Sequence, residues 1–256
     1  LTWRAAFSSP DGRLHITFLD VGTAEAVLIE TPSGRYILVN GGPSPTALSD
    51  SLGRLLPPFN RSLDWLIVAS PQEEQMAALP RVLARFPPRE ALWLGNLEAS
   101  YSALQVDEWL TGNEVPIISG ESGYALDLGY GARLEVAGTT PRGGVLLIKW
   151  GNFSALLPIG LNFEALEELE YGRAVGAVDV LLLADSGYAP LNPSSWIENL
   201  QPQLIILSVA AGDPSGLPDA SVLDSCSGRT LLRTDQDGWI EVSTDGEVFK
   251  VTAEKK

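Results

Sequence analysis

Histidine and cysteine are almost missing from this chain of 256 residues, which has one of each. A lone cysteine, Cys226, excludes a disulfide within the chain. A lone histidine, His15, excludes a zinc site built from several imidazoles and leaves one possible base for a serine nucleophile. Because His15 lies at the start of a predicted strand, we expect it to have a structural or surface role.

Basic residues are scarce as well: 17 Lys and Arg stand against 32 Asp and Glu, and the formal net charge is −15. Surfaces that bind nucleic acid usually carry a basic patch, because phosphate contacts supply most non-specific affinity. Arg81, Arg85 and Arg89 are spaced by four, but Pro87 and Pro88 interrupt that helical spacing. We therefore expect weak or no DNA binding by this chain alone.

Long apolar runs are also lacking, since none approaches the roughly 18–20 residues that span a bilayer. We therefore expect a soluble polypeptide. The apolar fraction of 45% is typical of globular proteins. The chain begins at Leu1 instead of Met, and "LTWRAAFSSPDGRL" suggests a piece of a longer protein.

Alternating and continuous apolar segments predict many short strands separated by helices. Strands are predicted at Leu14–Asp20, Ala26–Thr31, Arg35–Asn40, Leu63–Val68, Ala91–Leu94, Val115–Ile118, Tyr124–Leu128, Ala132–Val136, Val178–Ala184, Leu204–Val209 and Thr230–Arg233, with hairpins in "VLLIKWGNFSALLPIG" and at Trp239–Thr252. Helices are predicted at Ala47–Leu56, Glu73–Arg85, Ala103–Leu110, Phe163–Tyr171 and Ser194–Asn199.

Strand-rich stretches and strand–helix units thus recur in both halves, and no low-complexity linker divides them. Two mixed sheets stacked face to face, with helices outside, would bury all of these strands. A single doubly wound sheet is the competing arrangement. Three consecutive N-terminal strands and the late hairpins favour the stacked pair, an α+β fold with four αββα layers.

One stretch, "ITFLDVGTAEAVLIETPSGRYILVNGGP", resembles the opening of a known domain. It is similar to the metallo-β-lactamase-like domain at the C-terminal end of ComEC-type DNA-uptake competence proteins, which reads roughly F-L-D-V-G-Q-G-D-A, L-I-E-T-P-x-G and L-I-D-G-G. Matches continue through Leu52–Pro58, "LDWLIVAS" and "ALPRVL" to "LRTDQDGWIEVSTDG". The resemblance covers nearly the whole chain and implies the same αββα fold.

The resemblance also implies a parent protein. Residues 1–13 would be the junction after the last membrane helix, and residues 14–256 a single metallo-β-lactamase-like domain. The parent would pass single-stranded DNA across the cytoplasmic membrane. Its channel portion would be the partner of this domain, which would be a soluble part of an integral membrane protein, facing the extracytoplasmic side.

The family's catalytic positions are where this sequence departs from the pattern. Family members carry T-H-x-H/D-x-D-H-x-x-G-L-P after the fourth strand, then G-D, H-H-G-S and G-H-P-H, and hold two zinc or manganese ions. The positions of those ligands here are occupied by Ser70, Gln72, Glu74, Gln75, Gly160, Asp185 and Asp219. Of these, only Glu74 and Asp185 match as strong ligands, so the resemblance implies a degenerate site.

Zinc at neutral pH requires imidazole or thiolate donors, and a catalytic site needs about three protein ligands plus a water. Amide carbonyls and hydroxyls are weak neutral donors. Without the metal no water is acidified toward a pKa of about 7, and the hydrolytic nucleophile is lost. We therefore predict no catalytic residues, no metal and no cofactor, and a structural or interaction role beside the channel.

Two other functions stay open. Glu73 and Glu74, with Asp185, Asp219, Asp20 and Glu25, could converge as an acidic pocket for Mg²⁺ or Ca²⁺. With Glu73, Glu74, Asp185 and Asp219 as its candidate residues and Mg²⁺ or Mn²⁺ bound, the chain could be a metal-dependent nuclease or phosphodiesterase. Glu73 and Glu74 also suit the first turn of a helix, where negative charge meets the positive end of the dipole. The chain could alternatively be a binding module for single-stranded DNA or a protein.

Four further positions match the neighbourhood of the family's site. Asp20 is characteristic of the family and is expected to orient a loop through backbone hydrogen bonds. Asn40, followed by Gly41 and Gly42, stands where the family has aspartate. Asparagine keeps the turn-forming hydrogen bonds without the charge, as expected when no metal needs support.

Two weaker motifs predict no activity. "TDQDGWIE" lacks the third acidic position of a calcium loop and its closing glutamate at the required spacing, and it predicts a tight turn. Ser70, Ser186 and Ser215 lack both a G-x-S-x-G elbow and an imidazole partner other than His15.

Overall fold

The computed structural model describes residues 10–57 and 61–255, so most of the predicted junction (residues 1–9) lies outside it. The strands are β1 (Leu14–Phe18), β2 (Val27–Glu30), β3 (Tyr36–Val39), β4 (Leu63–Val68), β5 (Pro88–Trp93), β6 (Ile117–Ser119), β7 (Ala125–Gly129), β8 (Ala132–Thr140), β9 (Gly143–Trp150), β10 (Phe153–Leu157), β11 (Val180–Leu182), β12 (Leu204–Leu207), β13 (Thr230–Arg233), β14 (Ile240–Thr244) and β15 (Phe249–Ala253). The α-helices are α1 (Pro45–Leu55), α2 (Glu73–Met76), α3 (Leu79–Val82), α4 (Tyr101–Gly112), α5 (Phe163–Glu168), α6 (Ser194–Leu200), α7 (Ala220–Ser225) and α8 (Thr234–Asp237).

These strands form two mixed sheets within the described residues. The first has eight strands in the order β15-β14-β1-β2-β3-β4-β5-β6, and the second has seven in the order β13-β12-β11-β10-β9-β8-β7. The sheets share a plan: antiparallel pairing early in each half gives way to parallel pairing from β3 to β6 and from β10 to β13. Parallel strands need crossover connections, and the helices supply them.

Side chains of alternating strand residues enter different cores. In β3, Ile37 and Val39 pack between the two sheets, whereas Leu38 packs under the outer helices. A third cluster joins the other face of the second sheet to its own helices, through residues such as Leu181 and Trp196. Three apolar interfaces require four layers. The αββα sandwich predicted from the sequence is confirmed, and the doubly wound single sheet is wrong.

One predicted helix is wrong in its extent. The segment Glu73–Arg85 forms two short helices, α2 and α3, instead of one continuous helix. The N–H of Ala78 leaves the helical ladder and donates to the Gly42 carbonyl at 3.0 Å. Pro80 then lies in the first turn of α3, where its missing N–H costs nothing.

Two other local elements differ from the sequence-based expectation. Thr234–Asp237, predicted as a tight turn, forms the single helical turn α8, which Gly238 ends with φ of 72°. The helix α7 has no counterpart among the predicted helices. Both are under seven residues, too short for apolar periodicity to mark them.

His15 lies on β1, and its side chain is partly buried. Its ring nitrogens contact Glu241 at 3.3 Å and Asp11 at 3.1 Å. The hydrogen bond to Glu241 and that to Asp11 together raise the pKa of His15 to about 9.

Among the helices of residues 10–57 and 61–255, none combines the length and the apolar character required to cross a bilayer. The loops that follow β4, β10 and β11 meet at one end of the sandwich. In sheets with parallel strands, ligands bind in the crevice beyond the carboxyl ends of the strands.

Candidate functional site

A cavity of about 620 Å³ lies between the loops at this end of the sandwich. Its volume is in the range of small-molecule sites. It is lined by Ser70, Gln72, Glu73, Glu74, Gln75, Arg142, Ile159, Gly160, Leu161, Asn162, Phe163, Glu164, Asp185, Tyr188 and Leu191. Most of the residues selected from the sequence therefore share one cavity.

Asn40 holds the loop after β4 in place. Its side chain is fully buried, and its Oδ1 accepts hydrogen bonds from the backbone N–H of Ala69 at 2.8 Å and of Ser70 at 3.1 Å. Its amide donates to the Ser70 carbonyl at 2.6 Å. Asn40 has φ of 52°, a left-handed conformation that asparagine tolerates better than most residues. This one side chain fixes the backbone on both sides of Ser70.

Gly41 and Gly42 hold the loop after β3 against α2. Their N–H groups both donate to the Gln75 carbonyl at 3.1 Å. A Cβ on Gly41 would approach Leu79 Cδ2 to 2.8 Å, so a larger residue would push the two segments apart. The Asn-Gly-Gly segment therefore sets the position of Gln75.

Gln75 and Glu25 form a buried pair behind the cavity. The Gln75 amide donates to the Glu25 carboxylate, and the Glu25 backbone N–H donates back to Gln75 Oε1 at 3.1 Å. The Ser186 N–H reaches the other Glu25 oxygen at 3.4 Å. Complete burial, reinforced by the charge of Asp185, raises the pKa of Glu25 to about 7. The segment before β2, the helix α2 and the loop after β11 are thus joined at one point.

Glu73 is held by α4. Its carboxylate accepts a hydrogen bond from the Ser102 hydroxyl at 2.7 Å and from the Ser102 N–H at 2.9 Å. These bonds lower the pKa of Glu73. Ser100 caps α4 and also donates to the Pro71 carbonyl at 2.7 Å. The Glu73 carboxylate therefore fastens the loop to a helix and does not point freely into the cavity.

Gly160 lies in the tightest part of the floor. Its N–H donates to the Gly144 carbonyl at 2.9 Å, and the Gly144 N–H donates to the Ala69 carbonyl at 2.7 Å. A Cβ on Gly160 would collide with the backbone of both Gly144 and Ala69. The backbone thus leaves no space at this position for the side chain of any metal ligand.

Asp185 stands on the opposite wall, in an unusual loop. Asp185 and Ser186 have φ of 47° and 51°, and Gly187 continues the left-handed run at 82°. Such backbone conformations persist only when surrounding contacts hold them. Partial burial raises the pKa of Asp185, and the nearby positive charge of Arg142 opposes that rise.

Two predicted members of an acidic pocket are elsewhere. Asp219 does not line the cavity; it precedes α7 and accepts a hydrogen bond from the Ala189 N–H at 2.7 Å. Asp20 accepts a hydrogen bond from the Gly22 N–H, and its charged neighbours are Lys255, Glu254 and Asp235. The convergence of Asp20 and Asp219 with the cavity carboxylates, expected from the sequence, is wrong.

The residues present do not fit a two-ion centre. Within residues 10–57 and 61–255 no three His, Cys, Asp or Glu side chains come together as a set that could hold a metal ion. The carboxylates of Glu74 and Asp185 line the cavity beside hydroxyl and amide groups, which are weak donors for zinc. Glu25 and Glu73 are engaged in the contacts described above, and Gly160 has no room for a ligand.

Several solved structures have the same architecture. The chain is 12% identical to YhfI, a metallo-β-lactamase fold protein from Bacillus subtilis; 85% of this chain and 95% of that one are covered, with a TM-score of 0.56. It is 10% identical to Zn²⁺-bound PqqB from Methylobacterium extorquens, covering 86% and 97%, with a TM-score of 0.58. The chain has the metallo-β-lactamase fold.

A longer relative in structure is CmlA, a diiron β-hydroxylase from Streptomyces venezuelae, at 15% identity and a TM-score of 0.54. The comparison covers 89% of this chain and 53% of CmlA, so the chain spans about half the length of that enzyme. No protein-family model and no curated protein sequence matches the chain. At these identities the likeness concerns the fold and not the chemistry.

Sequence reasoning missed the second wall of the cavity. Arg142 lies in the turn between β8 and β9, and Phe163 and Glu164 open α5 behind the capping residue Asn162. The pattern Asn-Phe-Glu does mark a helix start, but nothing in the local sequence places it opposite Ser70.

Proposed function

We propose that this chain is a non-hydrolytic metallo-β-lactamase-fold domain of a ComEC-type membrane protein, acting as a structural or interaction module beside the channel that passes DNA. The observation that carries the proposal is the buried pair of Gln75 and Glu25. The neutral amide of Gln75, at a position where the family's pattern has a metal ligand, is hydrogen-bonded to the Glu25 carboxylate. The hydrogen bond from the Ser186 N–H to Glu25 connects this pair to the loop after β11.

The packing at Gly160 supports the same proposal. A hydrolase that had lost one ligand would keep space for it, whereas here the backbone of Ala69 and Gly144 fills that space. Metal ions compensate the repulsion and desolvation of clustered ligands. A domain that no longer binds ions gains stability from neutral, hydrogen-bonded replacements.

Partnership with the channel portion of the same parent follows from the resemblance of "FLDVG" and "NGG" in order and spacing to ComEC-type domains. The formal net charge of −15 argues against a direct grip on DNA. The open cavity remains available for a ligand of another kind.

The test is metal content together with nuclease activity. The purified chain is analysed by emission spectroscopy, and single- and double-stranded DNA are incubated with it in Mg²⁺ or Mn²⁺. We expect well below one metal ion per chain and no cleavage above buffer. Stoichiometric zinc or manganese would overturn the proposal.

Cleavage that requires the cavity carboxylates would overturn it too, in favour of a metal-dependent nuclease. The variants are Glu74→Ala and Asp185→Ala, and Glu198→Gln, an exposed carboxylate on α6, is the matched control. The parentage is tested separately by the coding sequence upstream of Leu1, where several membrane spans are expected; their absence would contradict the ComEC assignment.

A further inference from the structure

The cavity carries an unequal set of charges. Four acidic residues line it, Glu73, Glu74, Glu164 and Asp185, and one basic residue, Arg142; of the four, Glu73 has its carboxylate bonded to Ser102. Arg142 acts on Asp185 and so offsets one of the four. The remaining negative charge is held in a concave space on a chain that is itself strongly acidic. Such a field attracts cations and repels phosphates.

An unsatisfied polar group lies in the same cavity. Ser70 is 3% exposed and lines the cavity wall, yet its hydroxyl makes no hydrogen bond with any residue in 10–57 or 61–255. Its backbone is fixed on both sides by Asn40, so the hydroxyl cannot turn away by moving the loop. The residue is buried from every side but the cavity, so its hydroxyl remains available to a group that enters the cavity.

Two aromatic side chains at the cavity are left open. Phe163 is 59% exposed and Tyr188 is 40% exposed, and both line the cavity. Single exposed apolar side chains are common on protein surfaces, but these two lie on one cavity and present their rings to it. Aromatic faces attract ammonium and guanidinium groups. The rings therefore favour the same class of ligand as the carboxylates.

We infer that this cavity binds an organic cation with N–H donors, an ammonium or guanidinium group. The carboxylates of Glu74 and Asp185 neutralise its charge, the Ser70 hydroxyl accepts one N–H, and Phe163 or Tyr188 covers its apolar stem. The inference rests on the proposed function in one respect: the cavity must be free of a metal pair. A free polyamine or the Lys and Arg side chains of a polypeptide could supply such a group.

The test is calorimetric titration of the full chain at about 150 mM salt, where charges that are not in contact are largely screened. The probes are spermidine, an acetylated four-arginine peptide and, as the uncharged match, the corresponding citrulline peptide. We expect saturable binding of one cationic probe and none of the citrulline peptide. Spermidine alone binding identifies a small amine, and the arginine peptide alone binding identifies a polypeptide.

Variants locate the site. We expect Asp185→Asn with Glu74→Gln to weaken binding about tenfold or more, and Ser70→Ala or Phe163→Ala about threefold each, as charged contacts outweigh neutral ones. Glu198→Gln removes one negative charge on another helix, as each of the two cavity substitutions does within the cavity. It is expected to leave the affinity unchanged. Circular dichroism confirms that each variant is folded.

The inference is overturned if no cationic probe saturates, or if Glu198→Gln weakens binding as much as the cavity variants do. All titrations contain EDTA. If the chain holds zinc in the metal assay and still binds a cationic probe saturably, the proposed function is overturned but the cation site is not. If the chain holds no metal and no cationic probe binds, the cation site alone is overturned.

Discussion

The two walls of the cavity hold their side chains in different ways. On the wall built from α2, the loops after β3 and β4 and the segment before β2, Asn40, Glu25 and Gln75 are buried and each makes several hydrogen bonds. On the wall built after β10, Phe163 and Glu164 are exposed, with no such network. The first wall resembles a protein core, and the second resembles a binding surface.

This difference predicts that the two walls contribute unequally to the stability of the fold. Hydrogen bonds in a buried network stabilise one another, and a partly satisfied network is costly. The first wall holds Asn40, Gln75 and the Glu25 carboxyl in such a network. We expect the second wall, where Phe163 and Glu164 are exposed, to contribute less to stability.

The largest expected effect comes from adding one methyl group to the floor. Gly160→Ala should lower the free energy of unfolding by about 4 kcal/mol, since its Cβ would collide with backbone that cannot move aside. Urea unfolding measures it. Gly112→Ala is the matched control, because a Cβ there meets nothing within 4 Å. A cost at Gly160 no larger than at Gly112 would contradict the packed floor.

Removing the central amide of the first wall ranks next. Asn40→Ala leaves two backbone N–H groups without their acceptor and should cost about 3 kcal/mol in chemical denaturation. Asn113→Ala, which removes one exposed hydrogen bond to Trp109, should stay within about 0.5 kcal/mol. Equal effects in the two variants would show that the buried network adds no stability of its own.

The buried carboxyl of Glu25 should make stability depend on pH. Its pKa is about 7 in the folded chain, whereas an ordinary glutamate side chain has a pKa of 4.5. The folded state therefore keeps a proton that the unfolded state releases. Stability from this group is therefore lost as pH rises from about 4.5 to 7. Glu25→Gln lacks this titration and should gain roughly 2 kcal/mol relative to wild type between pH 5 and 7.

The check on Glu25 is a series of urea unfolding curves for both proteins at intervals of pH. The difference between them isolates Glu25 from other titrating groups, such as His15. A difference that stays constant from pH 4 to 8 would mean that the pKa of this carboxyl is the same in the folded and the unfolded chain, contrary to its burial.

The smallest effect on stability is expected on the second wall. Phe163→Ala should change the free energy of unfolding by no more than about 0.5 kcal/mol, because its ring is 59% exposed. The same variant should weaken cation binding. A large loss of stability would show that this wall is also structural and would remove the contrast between the two.

The fold was largely predictable from the sequence. The apolar runs in "YILV" and "LDWLIV" mark strands with both faces covered. The helix start at Ser44 with Pro45 is likewise a local signal. The break between α2 and α3 was not predictable, because it depends on Gly42 receiving a hydrogen bond from a segment 36 residues away.

The first wall of the site was approached from the sequence, since a pattern of residue spacing pointed to Ser70, Gln75 and Asn40. Spacing does not say which side chains bond to each other. The pairing of Gln75 with Glu25 joins positions 50 apart, and the absence of Asp219 from the cavity depends on how its loop turns.

By itself, the sequence determined the layering of this protein and the scarcity of nitrogen and sulfur donors, because hydrophobic period and residue type are local properties. Only the tertiary structure decided that Gly160 has no room for a side chain, that Glu25 is paired and that Arg142, Phe163 and Ser70 share one cavity. Those facts arise where loops distant in the chain meet, and backbone packing there depends on contacts that no local pattern encodes.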